Sequence, residues 1–471
     1  MNIEVKKVIR KKNRYYNIRE RSGSPFREDF YHEVMFLGLV NLGMAKNRAG
    51  YYHNIRSIPV EMEGGYLLTS GTNFMLSHLA NLSFEKNEIN AAVKFARKQN
   101  LKVTDDFINY MKDFTFNADV YVVPEGQIVG PGEPIVKVTG SAIEALMVET
   151  SIISTITYAT LVATRASRVV MAADGKLVFE YGYRRSPNPL ISTWASMVGG
   201  CAGTSNVLAG KLFNIPLSGT MAHAWVMMFK NEYEAFLKFY EATGSNIFLI
   251  DTYDPIRGAQ IAIEVAKKIG KKVKVRLDSG DPVVLVPMIM QLNTEGWIEG
   301  IIISDDMNVQ KINRIRKSGI PVMAFGVGTY IVVVPSASSV YKLTRIKDEG
   351  MKEYLPTIKV SSSNPAKSTL PGDFIVWRRE VDGKILGDIV ALSDEERPGK
   401  EYTEVMVRAM KGGRLTHKLP KLSEIMEFAK MNLAKLTEPH ARIEKYEQYP
   451  VRISDKLMQL KQELIANRMT I

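Results

Sequence analysis

Between residues 176 and 343 the chain alternates short apolar runs with amphipathic stretches, and no other feature limits its folds as much. The runs KLVFEYGY, NIFLIDTY, VKVRLD, GIIISDD and VMAFGV read as strands, and RGAQIAIEVAKKIG and NVQKINRIRKSG between them carry apolar residues at helical spacing. Strands separated by helices return in parallel, because a parallel pairing needs a crossover connection. Several such units in series predict a β/α barrel, whose site sits at the C-terminal ends of the strands.

The flanking segments read differently. The first third mixes helical patterns over 84–99 and 105–111 with ADVYVVPEGQIVGPGEPIVKVTG, where Pro and Gly punctuate short β runs. A long, largely buried helix is expected from Ala142 to about Ala172. After Leu343 come VSSSNPAKSTLPGD, a short strand FIVWRRE, and charged helices ending in DKLMQLKQELIANRM. The fold class expected is α/β, an irregular β/α barrel with a partly β, α+β accessory domain. Residues 1–145 are assigned to the accessory domain, 146–350 to the barrel, and 351–471 to a C-terminal extension packing on the accessory domain.

Composition narrows the partners. A chain of 471 residues with 45% hydrophobic and 24% charged residues is globular and long enough for more than one core. Its net charge of +12 fits either nucleic acid or small polyanions. The basic residues fall in short runs such as Lys6-Lys7, Arg10-Lys11-Lys12 and Lys271-Lys272, without a zinc-finger or RNA-binding signature. A phosphate-rich small substrate is therefore expected, and nucleic acid is not. Cys201, the single cysteine, excludes an intramolecular disulfide and fits a reducing compartment. MNIEVKKVIRKKNRYY lacks the apolar stretch of a secretory signal, and no apolar run approaches about 20 residues. The reading is a cytoplasmic protein without a membrane partner.

The expected rim carries Tyr181 to Arg185, Ser218 to His223, Asp251 to Asp254, Arg276 to Asp281, Ser304 to Asp306 and Gly326 to Thr329. Any one of these groups reads equally well as a helix cap or a turn. Six on one rim suit a site for a sugar phosphate. Asp251, Asp278, Asp281, Asp305 and Asp306 offer oxygens for ribose hydroxyls and a hard cation such as Mg²⁺. Arg184 and Arg276 offer forked donors, and the backbone of Gly326-Val327-Gly328-Thr329 suits a monophosphate. Tyr183, Met221 and Met227 read as core, and Lys342 as a solvated lysine.

The stretches EYGYRRSPNP, GGCAGTSNVLAGKLFNIPLSGTMAHAW, DTYDPIRG, RLDSGDP and FGVGT, with DFYHEVM, VPEGQIVGPGEPIVKVTG and VYKL around them, resemble the successive motifs of the nicotinate phosphoribosyltransferase family. The resemblance runs in order over about residues 26 to 380 and is loose over the last ninety or so. It implies Mg²⁺-dependent condensation of nicotinate with phosphoribosyl pyrophosphate, ATP as co-substrate, and a homodimer with shared active sites or a higher homo-oligomer. Tyr181 takes the place of an aromatic that stacks on the pyridine ring, and Tyr31 that of a second aromatic from the neighbouring subunit. Arg276 and Asp278 fall where base and ribose bind, Arg184 where phosphate binds, and His223 where ATP phosphorylates a histidine. Asp251, Ser279, Asp281, Ser304, Asp305, Gly326, Gly328 and Thr329 fall on the phosphate and ribose side, with Asp251 and Asp281 as the Mg²⁺ ligands.

Thr204 and Ser205 precede a helix and read either as its N-cap or as the contact for the nicotinate carboxylate. The nicotinamide-using relatives carry an Asp here, which accepts from an amide and repels a carboxylate; Ser205 is neutral and can donate. The alternatives are therefore a nicotinamide phosphoribosyltransferase, a quinolinate phosphoribosyltransferase, and a catalytically silent nucleotide- or nucleic-acid-binding relative.

Overall fold

The computed structural model describes residues 21–361 and 368–469. The basic run Lys6 to Lys12 and the middle of VSSSNPAKSTLPGD lie outside the described residues.

The strand and helix alternation builds one six-stranded, all-parallel sheet, in the order Gly203–Thr204, Leu177–Glu180, Ala324–Val327, Ile298–Ile303, Val273–Leu277, Ile247–Leu249. Leu217 extends it by a single parallel bridge to Thr204. The ladder does not continue from Leu217 to Ile247–Leu249 among the described residues, so the expected barrel is a half-barrel. Local chemistry sets its helices. Pro255–Ile269 starts at Asp254, whose Oδ1 accepts the Arg257 N–H at 2.7 Å, and stops at Gly270, where φ is 67°.

The accessory part is a seven-stranded antiparallel sheet assembled from three distant stretches of chain. Its order is Leu355–Pro356, Ser339–Lys347, Arg48–Ile55, Pro134–Ser141, Asp119–Val122, Val407–Lys411, Arg414–Leu415. Ser339–Lys347 thus lies within the stretch assigned to the barrel, yet its register with Arg48–Ile55 makes it an accessory strand. Residues beyond 351 contribute Val407–Lys411 to that sheet and form a four-stranded sheet of their own, around Phe374–Val381 and Lys384–Leu392. The extension also touches the half-barrel side: the buried Arg168 donates to the carbonyls of Ala441, Arg442 and Ile443.

The expected long helix is real but broken, running as Ala142–Met147, Glu149–Ile152, a π turn Ile153–Thr157, and Tyr158–Ala172. It threads both cores, with Ile143, Ile152 and Ile156 in the accessory core and Val162, Ala166 and Val169 in that of the half-barrel. By length and hydropathy this stretch could cross a membrane, but 72% of its most apolar window is buried inside the protein, as for a core helix.

Candidate functional site

The C-terminal ends of the parallel strands surround a cavity of about 780 Å³. Of the residues expected there, Tyr181, Arg184, Ser205, His223, Arg276, Asp278, Ser304, Asp305, Gly326, Gly328 and Thr329 all line it. They come from six rim segments between residues 181 and 329, gathered because parallel strands present all their C-terminal ends on one side.

The Tyr181 ring is pinned from two directions. Its Oη shares a hydrogen bond of 2.7 Å with Ser218 Oγ, and its Cδ2 and Cε2 atoms lie against Gly326, where an added Cβ would come within 2.5 Å of Cε2. Glycine is required here for close approach. Arg276 reaches across the floor to Thr220, with Nη1 donating to Oγ1 at 2.9 Å. Its Nε is buried and has no hydrogen-bond partner among the described residues. His223 Nδ1 lies 3.1 Å from Thr252 Oγ1, and Nε2 lies 3.7 Å from Asp278 Oδ2. Asp278 is oriented in turn by Ser304, whose hydroxyl donates to Oδ1 at 2.5 Å.

Carboxylates also line the cavity, at Asp278, Asp305 and Asp306. Burial pushes the Asp305 carboxyl above its ordinary range, and Asp306, Asp278 and Asp251 push it further, while Lys311 opposes them. Arg184 and Arg185 are exposed and line the same cavity. The lining thus combines cationic donors, Arg184, Arg185 and Arg276, with the carboxylates Asp278, Asp305 and Asp306.

Four expected site residues point elsewhere. Thr204 is fully buried, and its hydroxyl donates to Glu180 Oε2 at 2.6 Å. Asp251 braces the floor from behind, Oδ2 accepting the Asp278 N–H and the Ser279 hydroxyl, each at 2.7 Å. Ser279 is thereby turned away from the cavity. Asp281 caps the helix Pro282–Leu292 and takes both donors of Arg314, at 3.1 and 2.8 Å. An Asp carboxylate so engaged is not a free metal ligand. Among the described residues no three His, Cys, Asp or Glu side chains converge as a metal cage.

The N-cap of the helix Val207–Phe213 is Asn206, so neither Thr204 nor Ser205 caps it, and Ser205 is free to face the cavity. Tyr183 and Met227, read as core, are 46% and 66% exposed. Met221 is buried as expected. Lys342 is half-buried in an accessory strand, where burial lowers its proton affinity. Tyr31, on the helix Phe30–Asn41, is 49% exposed and lies outside the cavity of its own chain. Glu180 was missed. Its signal is an acidic residue closing an apolar strand, LVFE.

Family models described as the nicotinate phosphoribosyltransferase N-terminal domain, family and C-terminal domain match residues 26–157, 181–349 and 399–461. The nicotinate phosphoribosyltransferase of Bacillus subtilis is 32% identical over 447 residues, covering 88% of this chain and 89% of that protein. The chain belongs to the nicotinate phosphoribosyltransferase family. The match at 399–461 makes the C-terminal extension a family element, although its motifs read only loosely by eye.

Among solved structures, human nicotinic acid phosphoribosyltransferase shares the fold with a TM-score of 0.77 at 22% identity, covering 93% of this chain and 99% of that one. A nicotinate-nucleotide pyrophosphorylase from Pyrococcus furiosus shares it with a TM-score of 0.71 at 22% identity, covering 90% and 99%. Family membership makes the protein a phosphoribosyltransferase, and the two solved structures share its fold.

Proposed function

We propose that this enzyme condenses nicotinate with 5-phosphoribosyl 1-pyrophosphate to nicotinate mononucleotide and pyrophosphate, driven by ATP through a phosphohistidine at His223. The observation that carries the reading is the single cavity that the Tyr181 ring, pinned on Gly326, lines together with Arg276, Asp278 and His223. Family membership supports the reaction class.

The base stacks on Tyr181, and neutral Ser205 with Arg276 receives its carboxylate. The C1–pyrophosphate bond breaks as the pyridine nitrogen approaches C1, through an oxocarbenium-like state that the Asp278 carboxylate steadies. Arg184 and the Gly326 to Thr329 backbone hold the phosphates. The protein's part is positioning and electrostatics. Asp278 and Asp305, which line the cavity, would suit a Mg²⁺ carried in on the diphosphate with its own waters, since a nearby cation relieves the repulsion among the carboxylates at Asp305. The metal supplies neutralisation of the leaving pyrophosphate.

His223 serves the energy step. In the tautomer whose Nδ1–H donates to Thr252 Oγ1, Nε2 has the lone pair that the energy step needs. That nitrogen attacks the γ-phosphorus of ATP, ADP leaves, and water later takes the phosphoryl group from the imidazole. The half-exposed Tyr31 supports a homodimer in which it completes the partner's ring pocket.

The test is an assay with phosphoribosyl pyrophosphate and Mg²⁺, offering nicotinate, nicotinamide or quinolinate in turn, with and without ATP. Nicotinate should be used best and faster with ATP. Preferential use of either other base overturns the substrate assignment.

A further inference from the structure

Directly beneath the ring pocket lies an ionisable group that the reaction outlined above does not use. Glu180 ends the strand Leu177–Glu180 and is fully buried. It sits between two parallel neighbours, opposite Val327 on one side and Thr204 on the other. Its Oε1 accepts the Gly182 N–H, and its Oε2 accepts the hydroxyls of Thr204 at 2.6 Å and Thr193 at 3.3 Å. Its backbone carbonyl accepts the Ser205 N–H at 3.0 Å.

Thr204 Oγ1 already accepts the Asn206 N–H at 3.0 Å, and Thr193 Oγ1 accepts Asn206 Nδ2 at 3.1 Å. Each hydroxyl has one proton to give, and the ionised Glu180 carboxylate, an acceptor only, takes both. With Gly182 as the third donor, the site demands an acceptor on both carboxyl oxygens. An amide in its place either sets its NH₂ against the fixed Gly182 N–H or turns the Thr204 and Thr193 hydroxyl protons away from the site. Burial pushes the Glu180 carboxyl up, and the bonds from Thr204, Gly182 and Thr193 oppose that push.

The three donors belong to the elements that carry the pocket. Gly182 lies between Tyr181 and Arg184, Thr204 precedes Ser205, and Thr193 is on the helix Pro189–Val198 that follows the arginine pair. We propose that Glu180 is the positioning residue of the ring pocket: without touching the base, it holds Tyr181 and Ser205 in register through Gly182, Thr204 and Thr193. The assignment rests on the cavity being the base site, and it concerns binding of the base alone. A hydrogen bond to a buried charge is worth enough that losing one costs about tenfold or more in an equilibrium constant.

The experiment compares the wild type with Glu180→Gln, Thr204→Val and Thr193→Val. It measures thermal melting, direct equilibrium binding of nicotinate, and KM for nicotinate and for phosphoribosyl pyrophosphate. Glu180→Gln should weaken nicotinate binding about tenfold and leave KM for phosphoribosyl pyrophosphate unchanged. Thr204→Val and Thr193→Val should shift the same constant in the same direction by less, with melting preserved. If Glu180→Gln fails to fold, the two threonine variants decide the matter. Wild-type base binding in the folded variants, or equal loss for both substrates, overturns the proposal. If the wild type transfers to none of the bases while the variants still alter nicotinate binding, the function reading falls and the positioning role stands.

Discussion

Replacing Gly326 by alanine tests whether the close approach of the Tyr181 ring is what makes the cavity a base site. The new Cβ would stand 2.5 Å from Cε2, 2.6 Å from Cδ2 and 3.1 Å from Ser304 Cβ. Carbon atoms rest about 3.5–4.0 Å apart, so the ring must retreat by roughly 1 Å. Retreat is resisted, because Tyr181 Oη is bonded to Ser218 Oγ at 2.7 Å. Overpacking of this kind costs about 1–3 kcal/mol, and a misplacement of about 1 Å at a reacting site can cost on the order of a hundredfold in rate. Steady-state kinetics should show KM for nicotinate raised about tenfold and kcat/KM lowered toward a hundredfold, with a smaller change in KM for phosphoribosyl pyrophosphate. The control is Tyr181→Ala, which vacates the space the Cβ needs. In that background Gly326→Ala should cost little more, since both lesions act through one contact. Wild-type kinetics in Gly326→Ala, or full multiplication of the two effects in the double variant, would refute the argument.

Other consequences can be checked independently. His223→Ala should retain some phosphoribosyl transfer but lose its response to ATP, and γ-labelled ATP should leave an acid-labile, base-stable label on the wild type alone; label on the variant would remove His223 from that role. Ser205→Asp should weaken nicotinate use by at least about tenfold through repulsion in a partly desolvated pocket, and undiminished use would show that the carboxylate binds elsewhere. Mixing Tyr31→Ala with Asp278→Ala under subunit exchange should restore part of the activity, because one site of each mixed dimer carries neither lesion; confirmed exchange without activity would exclude a shared site. Burial lowers the His53 pKa from 6.5 to about 4, so the folded state holds it neutral where the unfolded chain binds a proton. Its contribution is complete above pH 6.5 and declines as pH falls toward 4, by about 3 kcal/mol in total. Urea unfolding of the wild type and His53→Gln from pH 7 to 4 should show the variant losing less stability over that window, and parallel curves would count against it.

Much of the site could be read in advance because parallel strands align their C-terminal ends. Once KLVFEYGY, VKVRLD, GIIISDD and VMAFGV are strands, Tyr181, Arg276, Asp278, Ser304 and Gly326 fall on one rim, and the cavity gathers them. What could not be read was which rim side chains face the cavity. Asp281 and Asp278 are three residues apart and look alike, yet Arg314 takes the first while Ser304 and His223 leave the second open to the site. Ser279 and Thr204 turn away toward Asp251 and Glu180 for the same reason: a polar side chain near a buried floor goes to the partner that satisfies it.

The same division runs through the fold. The periods of the apolar residues are local properties, and they determined the strands, the helices and the parallel class of the central sheet. They could not say which sheet takes Ser339–Lys347, whose pattern would serve either one. Pairing with Arg48–Ile55, nearly three hundred residues away, decided it. Nor could they show that the barrel stays open between Leu217 and Ile247–Leu249, or that Glu180 collects donors from three elements. A periodic pattern records which face of an element is buried, because burial repeats along the chain. The partner across the interface is chosen by donors, acceptors and shapes that meet only when distant segments are packed together, and that choice belongs to the tertiary structure.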